Sequence, residues 1–450
     1  MINVFVKDLT PRIEYAFELV FGTILNSKVI FHTRANSFEV AGRVKINYSE
    51  KHFPDCLNLI PHSLLLSAKL KKIKPKKIMW DNLPALFPVE KSFLPFDIFA
   101  ATFFLVSRYE EYFDENLDKH GRFDPFGSVA AQYNFLEKPL VNLWAIKMAE
   151  AIRQNDLDFL YDKPCFQYLP TFDIDNAWAF KNKSVVRLLL SSAKDVVYGR
   201  WHSLKKRVKV ISGFQPDPYD NYDFILNEIA LHKFNPIFFF LLRSRGKFDR
   251  ALSPKNRKFK KLIRRLAEFG EVGIHPSYYS NSNKKALQHE ITLLSDITSK
   301  DITCSRQHFL MLHFPSTYQN LIQNNIEVDY SMGYPDCVGF RASLATPFRF
   351  FDIEQNKTTN LKIVPFQIMD VTLKHYMNLS ISQTLKKIEL LMLETARVGG
   401  TFVSLWHNES LGQSKSDHKC RFIYAEMSRL AAKLQNEAKG ETDLSKPASL

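Results

Sequence analysis

Short apolar runs alternate with helical segments from about residue 165 onwards, and this alternation constrains the fold more than any other feature of the chain. The runs that predict strands are 166–172, 236–242, 271–275, 309–313, 363–369 and 401–406. The segments that predict helices are 221–232, 258–269, 284–296, 317–324 and 382–396. Strands separated by helices pair in parallel, in an open doubly wound sheet or a closed barrel, and both architectures gather their chemistry at the carboxyl ends of the strands. The sequence therefore predicts an α/β fold with its site at that edge.

The part of the chain before this alternation follows a different pattern. Alternating apolar residues between 29 and 46 are combined with helical stretches at 96–112 and 138–153. This mixture predicts an additional N-terminal α+β domain. The segments we expect are an α+β module at 1–160, the α/β domain at 165–435 and a flexible C-terminal tail at 436–450.

The composition limits the class of protein. The chain has 450 residues, of which 45% are hydrophobic, which is enough for a large core and two or three domains. Its longest apolar runs, near 98–106 and 236–242, are far shorter than the roughly 20 residues of a membrane-spanning helix. The first residues lack the pattern of a secretory signal, so a cytoplasmic location is predicted. The five cysteines are scattered without a C-x-x-C pair, which favours reduced thiols over structural zinc.

The formal charge of +14 comes from basic runs at 69–77, 200–209 and 255–265. The last run carries apolar residues at helical spacing, which is typical of the solvated face of an amphipathic helix. Nucleic-acid binding is an alternative that would need one continuous basic face, and no nucleic-acid-binding motif supports it. Peripheral contact with a membrane through the basic runs also suits this charge, and the oligomeric state stays open.

Two carboxylates, Asp173 and Asp175, follow the apolar run at 166–172. Side chains at positions i and i+2 of a strand point to the same side, so both acids would emerge together where the strand ends. This arrangement predicts a metal site or a proton-transfer site. A two-carboxylate glycosidase is an alternative, but its acids stand about 5 to 9.5 Å apart across a sugar.

Three further polar clusters, at 275–277, 306–308 and 406–408, lie at the boundaries of other predicted strands. The cluster at 306–308 is expected just before, or at the start of, the strand at 309–313. Each cluster alone has a structural explanation, because a single histidine is more often a hydrogen-bonded structural residue than a ligand. Their order along the chain is more informative than any one of them.

The order is an acid pair in T-F-D-x-D, then G-x-H-P-S, then an arginine-containing segment, then an apolar strand ending in W-H. It resembles that of the polysaccharide deacetylases of carbohydrate esterase family 4, over residues 165–430. The resemblance implies a distorted (β/α) barrel and a divalent metal, usually zinc, held by one carboxylate and two histidines. The implied activity is hydrolysis of an N-acetyl or O-acetyl group on a polysaccharide or glycan precursor, by a hydrolase of carbon–nitrogen bonds other than peptide bonds.

The resemblance also implies a role for each matching residue. Asp173 corresponds to the catalytic base and Asp175 to the metal carboxylate. His275 corresponds to the first metal histidine. Arg306 resembles the arginine that orients the base, and His407 corresponds to the general acid that protonates the departing amine.

One ligand departs from the family pattern. The second metal histidine of the family lies four residues after the first, but position 279 is Tyr279. His308 is the predicted substitute, ahead of His313 and His289. If the metal site is instead incomplete, the alternative function is that of a non-catalytic carbohydrate-binding protein on a deacetylase-like barrel.

Aromatic residues near the predicted strand ends suit a sugar site. Tyr330 and Trp406 are the predicted substrate-binding residues, and packing is the alternative explanation for Tyr330. Asp370 is a weaker candidate because nothing pairs with it locally. In the first part of the chain, 107–112, 120–123 and 138–144 resemble an uncharacterised module that precedes deacetylase domains in a group of bacterial proteins. Its polar loop could cover the mouth of the barrel or recognise a partner.

Overall fold

The computed structural model describes residues 1–113, 116–156, 159–162, 164–412 and 415–444, without the side chains of 415, 416 and 441–444. In these residues the strands are β1 (Ile2–Val6), β2 (Val29–His32), β3 (Lys45–Tyr48), β4 (Leu57–Leu59), β5 (Lys77–Trp80), β6 (Leu83–Leu86), β7 (Gln167–Ile174), β8 (Ile237–Phe240), β9 (Glu271–Ile274), β10 (Cys304–Ser305), β11 (Val328–Asp329), β12 (Phe348–Asp352), β13 (Lys357–Ile363), β14 (Ile368–Met369) and β15 (Thr401–His407). The α-helices are α1 (Pro11–Phe17), α2 (Ala35–Glu39), α3 (Ser63–Leu66), α4 (Ile98–Val106), α5 (Val129–Gln132), α6 (Leu140–Asn155), α7 (Val185–Val197), α8 (Trp201–Ile211), α9 (Tyr222–His232), α10 (Arg257–Leu266), α11 (Lys284–Thr298), α12 (Ser316–Gln323), α13 (Ile381–Arg397) and α14 (Lys415–Leu444).

The large sheet has the strand order β12-β13-β11-β10-β9-β8-β7-β15-β14. Its pairs are parallel except for the antiparallel hairpin of β12 and β13. The α/β class is therefore confirmed, and the carboxyl ends of β7 to β10 and of β15 lie at one edge. The segment between β13 and β14 bonds to a strand near each end of this sheet, because Val364 N donates to Asp329 O on β11 and Gln367 N donates to Val403 O on β15. The closed barrel stays a prediction, since the strand pairing describes one sheet.

Burial explains why the central strands read as continuous apolar runs. Every residue of β8 is buried, as expected for a parallel strand covered on both faces. Amphipathic helices cover the sheet, and α10 buries its apolar side while its lysines and arginines remain largely exposed.

The predicted strand at 309–313 is wrong. The strand of this unit is the short β10, and residues 308–310 form a single 3₁₀ turn in which Phe309 and Leu310 have φ angles of 61° and 55°. Positive φ at two successive residues is incompatible with an extended strand. As a result Arg306 and His308 follow a strand instead of preceding one, and they lie at the same edge as the acid pair.

Two other boundaries differ from the sequence prediction. The run at 363–369 divides between the end of β13 and β14. Helix α14 continues through the expected tail to Leu444, and residues 445–450 of that tail lie outside the described residues.

The first part of the chain contains a parallel sheet of order β2-β1-β3-β4 and the antiparallel pair β5 and β6. It is joined to the large sheet by buried contacts. Glu111 accepts from Arg341 Nη2 at 2.6 Å and from Arg108 Nε at 2.7 Å. The rings of Tyr15 and Phe351 lie 5.1 Å apart, within an apolar core that is continuous across both parts. The boundary near residue 160 stays a prediction. Among the described helices, none is long and apolar enough to cross a membrane.

Candidate active site

Asp173 and His407 face each other across two neighbouring strands. Asp173 is the second-last residue of β7 and is buried, and His407 ends β15 in register with it. Adjacent strands lie about 4.8 Å apart and register partners project to the same side. The strand pairing therefore places a carboxylate and an imidazole side by side at the edge of the sheet.

Asp175, His275 and His308 form a second group beside this pair. His275 Nε2 lies 3.3 Å from Asp175 Oδ1, and His308 Nε2 lies 3.6 Å from Asp175 Oδ2. One ligand atom from each residue lies within 4.8 Å of the others. The three residues come from the ends of β7, β9 and β10, so the parallel sheet brings them together.

The far nitrogen of each imidazole is already engaged. His275 Nδ1 lies 2.6 Å from the carbonyl oxygen of Arg306, and His308 Nδ1 lies 3.1 Å from Asp249 Oδ1. A carbonyl oxygen only accepts, so His275 Nδ1 carries the proton and Nε2 is left with a lone pair. Metal-binding histidines commonly donate their second nitrogen in this way.

These residues fit a divalent cation. Asp175 Oδ1 is buried and makes no hydrogen bond, and the lone pair of His275 Nε2 faces it. A buried carboxylate oxygen without a partner is costly, and a cation between these lone pairs removes that cost. One carboxylate with two imidazoles is a donor set that zinc and similar divalent ions accept.

The charges of this group are strongly coupled. Burial disfavours the charged form of Asp175, but the charges and hydrogen bonds of His308 and His275 together outweigh it and hold the Asp175 pKa well below its ordinary value. Burial likewise opposes the charged form of His308, yet Asp175 and Asp249 raise its pKa to about 9. The site is therefore negative enough to retain a cationic group in a buried position.

Arg306 fixes the orientation of Asp173. Its Nη1 donates to Asp173 Oδ1 at 3.0 Å, and its Nε donates to the carbonyl oxygen of Tyr330 at 3.0 Å. The buried guanidinium lies over the rings of Phe239 and Phe366, at 4.6 and 5.7 Å from their centroids. A planar cation held by rings and two acceptors has little freedom, so the Asp173 carboxylate has a defined direction.

Asp370 fixes the orientation of His407. Its Oδ1 lies 2.8 Å from His407 Nδ1, and its Oδ2 accepts from the His407 backbone N at 2.8 Å. Burial lowers the pKa of His407, but the charge and hydrogen bond of Asp370, together with the charges of Asp175 and Asp173, outweigh burial and raise the pKa to about 10. His407 is therefore an imidazolium at neutral pH.

Both groups open into one cavity of about 330 Å³. Its lining includes Asp173, Asp175, His275, His308, His407, Asn176, Glu409, Arg122, Arg250, Phe248 and Tyr376. Arg122 comes from the first part of the chain and donates to the carbonyl oxygen of Phe309 at 3.1 Å. The N-terminal part therefore contributes Arg122 to the lining of the cavity and bonds to the turn that carries His308.

Residues 2–156 match a family of unknown function, DUF7033, which covers about a third of the chain. No curated protein sequence matches this chain.

Several solved structures of polysaccharide deacetylases and family 4 carbohydrate esterases align with the chain. A protein from Mycobacterium smegmatis assigned to the polysaccharide deacetylases is 13% identical, with a TM-score of 0.37 over 64% of this chain and 94% of its own. A family 4 carbohydrate esterase from Streptomyces lividans is 9% identical, with a TM-score of 0.30 over 62% and 91% of the two chains. A family 4 pseudoenzyme from Bacillus anthracis is 9% identical, with a TM-score of 0.30 over 60% and 62%. Identities and TM-scores of this size carry over the activity of none of these proteins.

Two predicted substrate-binding residues do not reach the cavity. Trp406 precedes His407 on β15 and points to the opposite side of the strand, where its ring lies 5.2 Å from that of Tyr424. Tyr330 is buried against Phe239, with 5.4 Å between ring centroids. Both aromatic side chains pack in the interior, and Phe248 and Tyr376 line the cavity instead.

The other histidine candidates lie elsewhere. His289 is exposed on α11, and His313 is half-buried beside Gly121. Tyr279, at the position of the expected ligand, is 48% exposed beneath the guanidinium of Arg243. None of these three side chains belongs to the described cluster of Asp175 with its two histidines.

Sequence reasoning assigned Asp249 and Glu409 to no site, and it named Arg122 only as part of a polar loop that could cover the mouth of the barrel. Asp249 lies in the loop after β8 and Arg122 in the N-terminal part, and no spacing relates either of them to His308. Glu409 lies two residues beyond His407, accepts from Asn176 Nδ2 at 2.8 Å, and has its pKa raised by burial. Its position at a strand end was the one signal that could have identified it.

Proposed function

We propose that this protein is a metal-dependent carbohydrate deacetylase that hydrolyses an N-acetyl or O-acetyl group of a sugar. One observation carries the proposal. A ligand set of Asp175, His275 and His308 opens into the same cavity as a separate acid–base pair, Asp173 and His407.

The ligand set, Asp173 and His407 have separate roles in the proposed hydrolysis. A divalent ion such as zinc, bound by the ligand set, would polarise the acetyl carbonyl and make the attacking water more acidic. Asp173, oriented by Arg306, accepts the proton of that water. His407, held as an imidazolium by Asp370, donates its proton to the departing amine or alkoxide.

The glycosidase alternative is weaker for a geometric reason. Asp173 is engaged by Arg306 and Asp175 faces two imidazoles. A glycosidase needs one of its two carboxyl groups as a general acid, and neither acid is free for that role.

The direct test is acetate release from N-acetylated chitooligosaccharides and O-acetylated xylooligosaccharides, before and after chelation and after addition of zinc. The proposal predicts release from at least one substrate class, loss on chelation and recovery with zinc. If the metal-loaded protein binds these oligosaccharides but releases no acetate, the non-catalytic carbohydrate-binding function replaces it.

Asp370→Asn is expected to shift the basic limb of the pH–activity profile to lower pH by about 1 to 3 pKa units, because it removes the charge that keeps His407 protonated up to about pH 10. Asparagine retains one acceptor for His407. The profile of kcat against pH measures the shift, and Asp296→Asn on the exposed side of α11 is the matched control. An unchanged basic limb in Asp370→Asn would contradict the role of His407 as general acid.

A further inference from the structure

Helices α7 and α8 form a hairpin whose apolar side faces outwards. On α7 the outward residues recur at helical spacing and are 45 to 79% exposed, namely Val185, Val186, Leu189, Leu190, Val196 and Val197. Isolated exposed apolar residues are common, but a continuous stripe of this kind marks an interaction surface.

The inward-facing side chains of the hairpin are mostly polar and bond to one another and to the rest of the protein. Arg207 Nη2 donates to Asp195 Oδ2 at 2.7 Å, and Arg207 Nη1 donates to Ser192 Oγ at 2.8 Å, which ties the helices together. Arg187 Nη1 donates to the carbonyl oxygen of Ala251 at 3.1 Å. An ordinary surface helix packs its apolar side on the core. In this hairpin the inward side is mostly polar and the apolar side is exposed. The hairpin is therefore fixed with its apolar stripe in contact with solvent.

The turn and α8 extend the same surface. Their exposed apolar side chains are Tyr198, Trp201, Val208, Ile211 and Phe214. Residues 181–214 also contain nine lysines and arginines (Lys181, Lys183, Arg187, Lys194, Arg200, Lys205, Lys206, Arg207 and Lys209) against one acid, Asp195. Aromatic residues beside lysines and arginines are typical of segments that lie at a membrane–water interface.

We propose that the α7–α8 hairpin docks on the surface of a bilayer that contains anionic phospholipids. The apolar stripe would enter the boundary between headgroups and acyl chains, while exposed lysines such as Lys205 and Lys209 contact the phosphates. The helices have 13 and 11 residues, too short for the roughly 20 residues of a spanning helix. A second copy of the hairpin is disfavoured as the occupant because it would bring the same positive charges face to face.

The hairpin lies close to the cavity. It is inserted between β7, which carries Asp173, and α9. Arg187 Nη2 donates to the carbonyl oxygen of Arg250 at 2.8 Å, and Arg250 lines the cavity. Docking would therefore bring the cavity near the bilayer. The proposal goes beyond the proposed function and does not depend on it.

The test is co-sedimentation of the full chain with phosphatidylcholine vesicles that contain about 30% phosphatidylglycerol, compared with vesicles of phosphatidylcholine alone. We expect binding to the anionic vesicles. The double variant Leu189→Glu with Leu190→Glu should bind about tenfold more weakly or worse. Leu390→Glu with Leu393→Glu, at residues 44 and 48% exposed on α13, should bind like the wild type.

A comparison of two charge-reversal variants separates lipid binding by the hairpin from non-specific adsorption. Lys205→Glu with Lys209→Glu on α8 should reduce binding about tenfold, whereas Lys285→Glu with Lys386→Glu changes the net charge equally and should not. Sedimentation velocity of the same proteins measures the oligomeric state. Failure to bind anionic vesicles, equal losses in hairpin and control variants, or a dimer abolished by the leucine changes would each overturn the proposal.

Discussion

Asp173→Asn is expected to lower kcat for acetate release by about a thousandfold while the bound metal remains, because it removes the proton acceptor and leaves the ligand set intact. Asparagine keeps an oxygen for the Arg306 Nη1 hydrogen bond but removes the counter-charge of the buried guanidinium, so the unfolding midpoint of this variant is measured beside its activity. Steady-state kinetics measures the loss, and elemental analysis of the same sample measures the metal.

Asp175→Asn provides the contrast for this experiment. It changes the neighbouring carboxylate, on the same strand end, and should lose both metal and activity. The assignment of Asp173 as the base would be contradicted if Asp173→Asn kept activity within about tenfold of the wild type, since a positioned general base contributes about a hundredfold or more.

Arg306→Met should have the largest effect on stability. Removing the guanidinium leaves the buried Asp173 carboxylate without its counter-charge, and breaking a buried ion pair from one side costs about 3 to 5 kcal/mol. A marked fall in the midpoint of thermal or urea unfolding measures the loss. Methionine approximates the length of the arginine stem and still packs against Phe239 and Phe366.

The double variant Arg306→Met with Asp173→Asn tests the cause of that loss. If the unpaired charge is responsible, removing it restores part of the stability. A double variant as unstable as Arg306→Met alone would show that packing, and not the buried charge, sets the cost.

Local signals explain what the sequence could predict. Strand periodicity and strand ends are properties of a few adjacent residues, so the α/β alternation and the shared side of Asp173 and Asp175 are readable without a structure. The position of His275 after an apolar run is likewise recognisable from a few adjacent residues. The sequence predicts His308 only as a substitute for a missing ligand. In the structure its ligand atom lies within 4.8 Å of one from Asp175.

Partners that are distant in the sequence explain what it could not predict. Asp370 was ranked low because nothing near it in the sequence pairs with it, yet its partner His407 is 37 residues further along, on the next strand. Asp249 and Arg122 reach the site from separate loops. The short apolar run after His308 has the composition of a strand, and nothing in its sequence indicates the two positive φ angles or the hydrogen bond from the distant Arg122 to Phe309 O.

Helical periodicity has a similar limit in the α7–α8 hairpin. The pattern of apolar residues shows that a helix has two different sides, but it does not show which side faces the protein. Here Asp195 and Arg207 pair in the interior of the hairpin, and the apolar stripe faces outwards. The basic run at 200–209 is therefore part of a surface that combines charge with exposed apolar residues.

Elemental analysis of the purified wild type beside Asp175→Ala, His275→Ala and His308→Ala measures whether the proposed ligand set binds a metal. We expect about one zinc or similar divalent ion per chain in the wild type, and its loss in all three variants. A wild type that binds no metal even after incubation with excess zinc would contradict the proposed metal site.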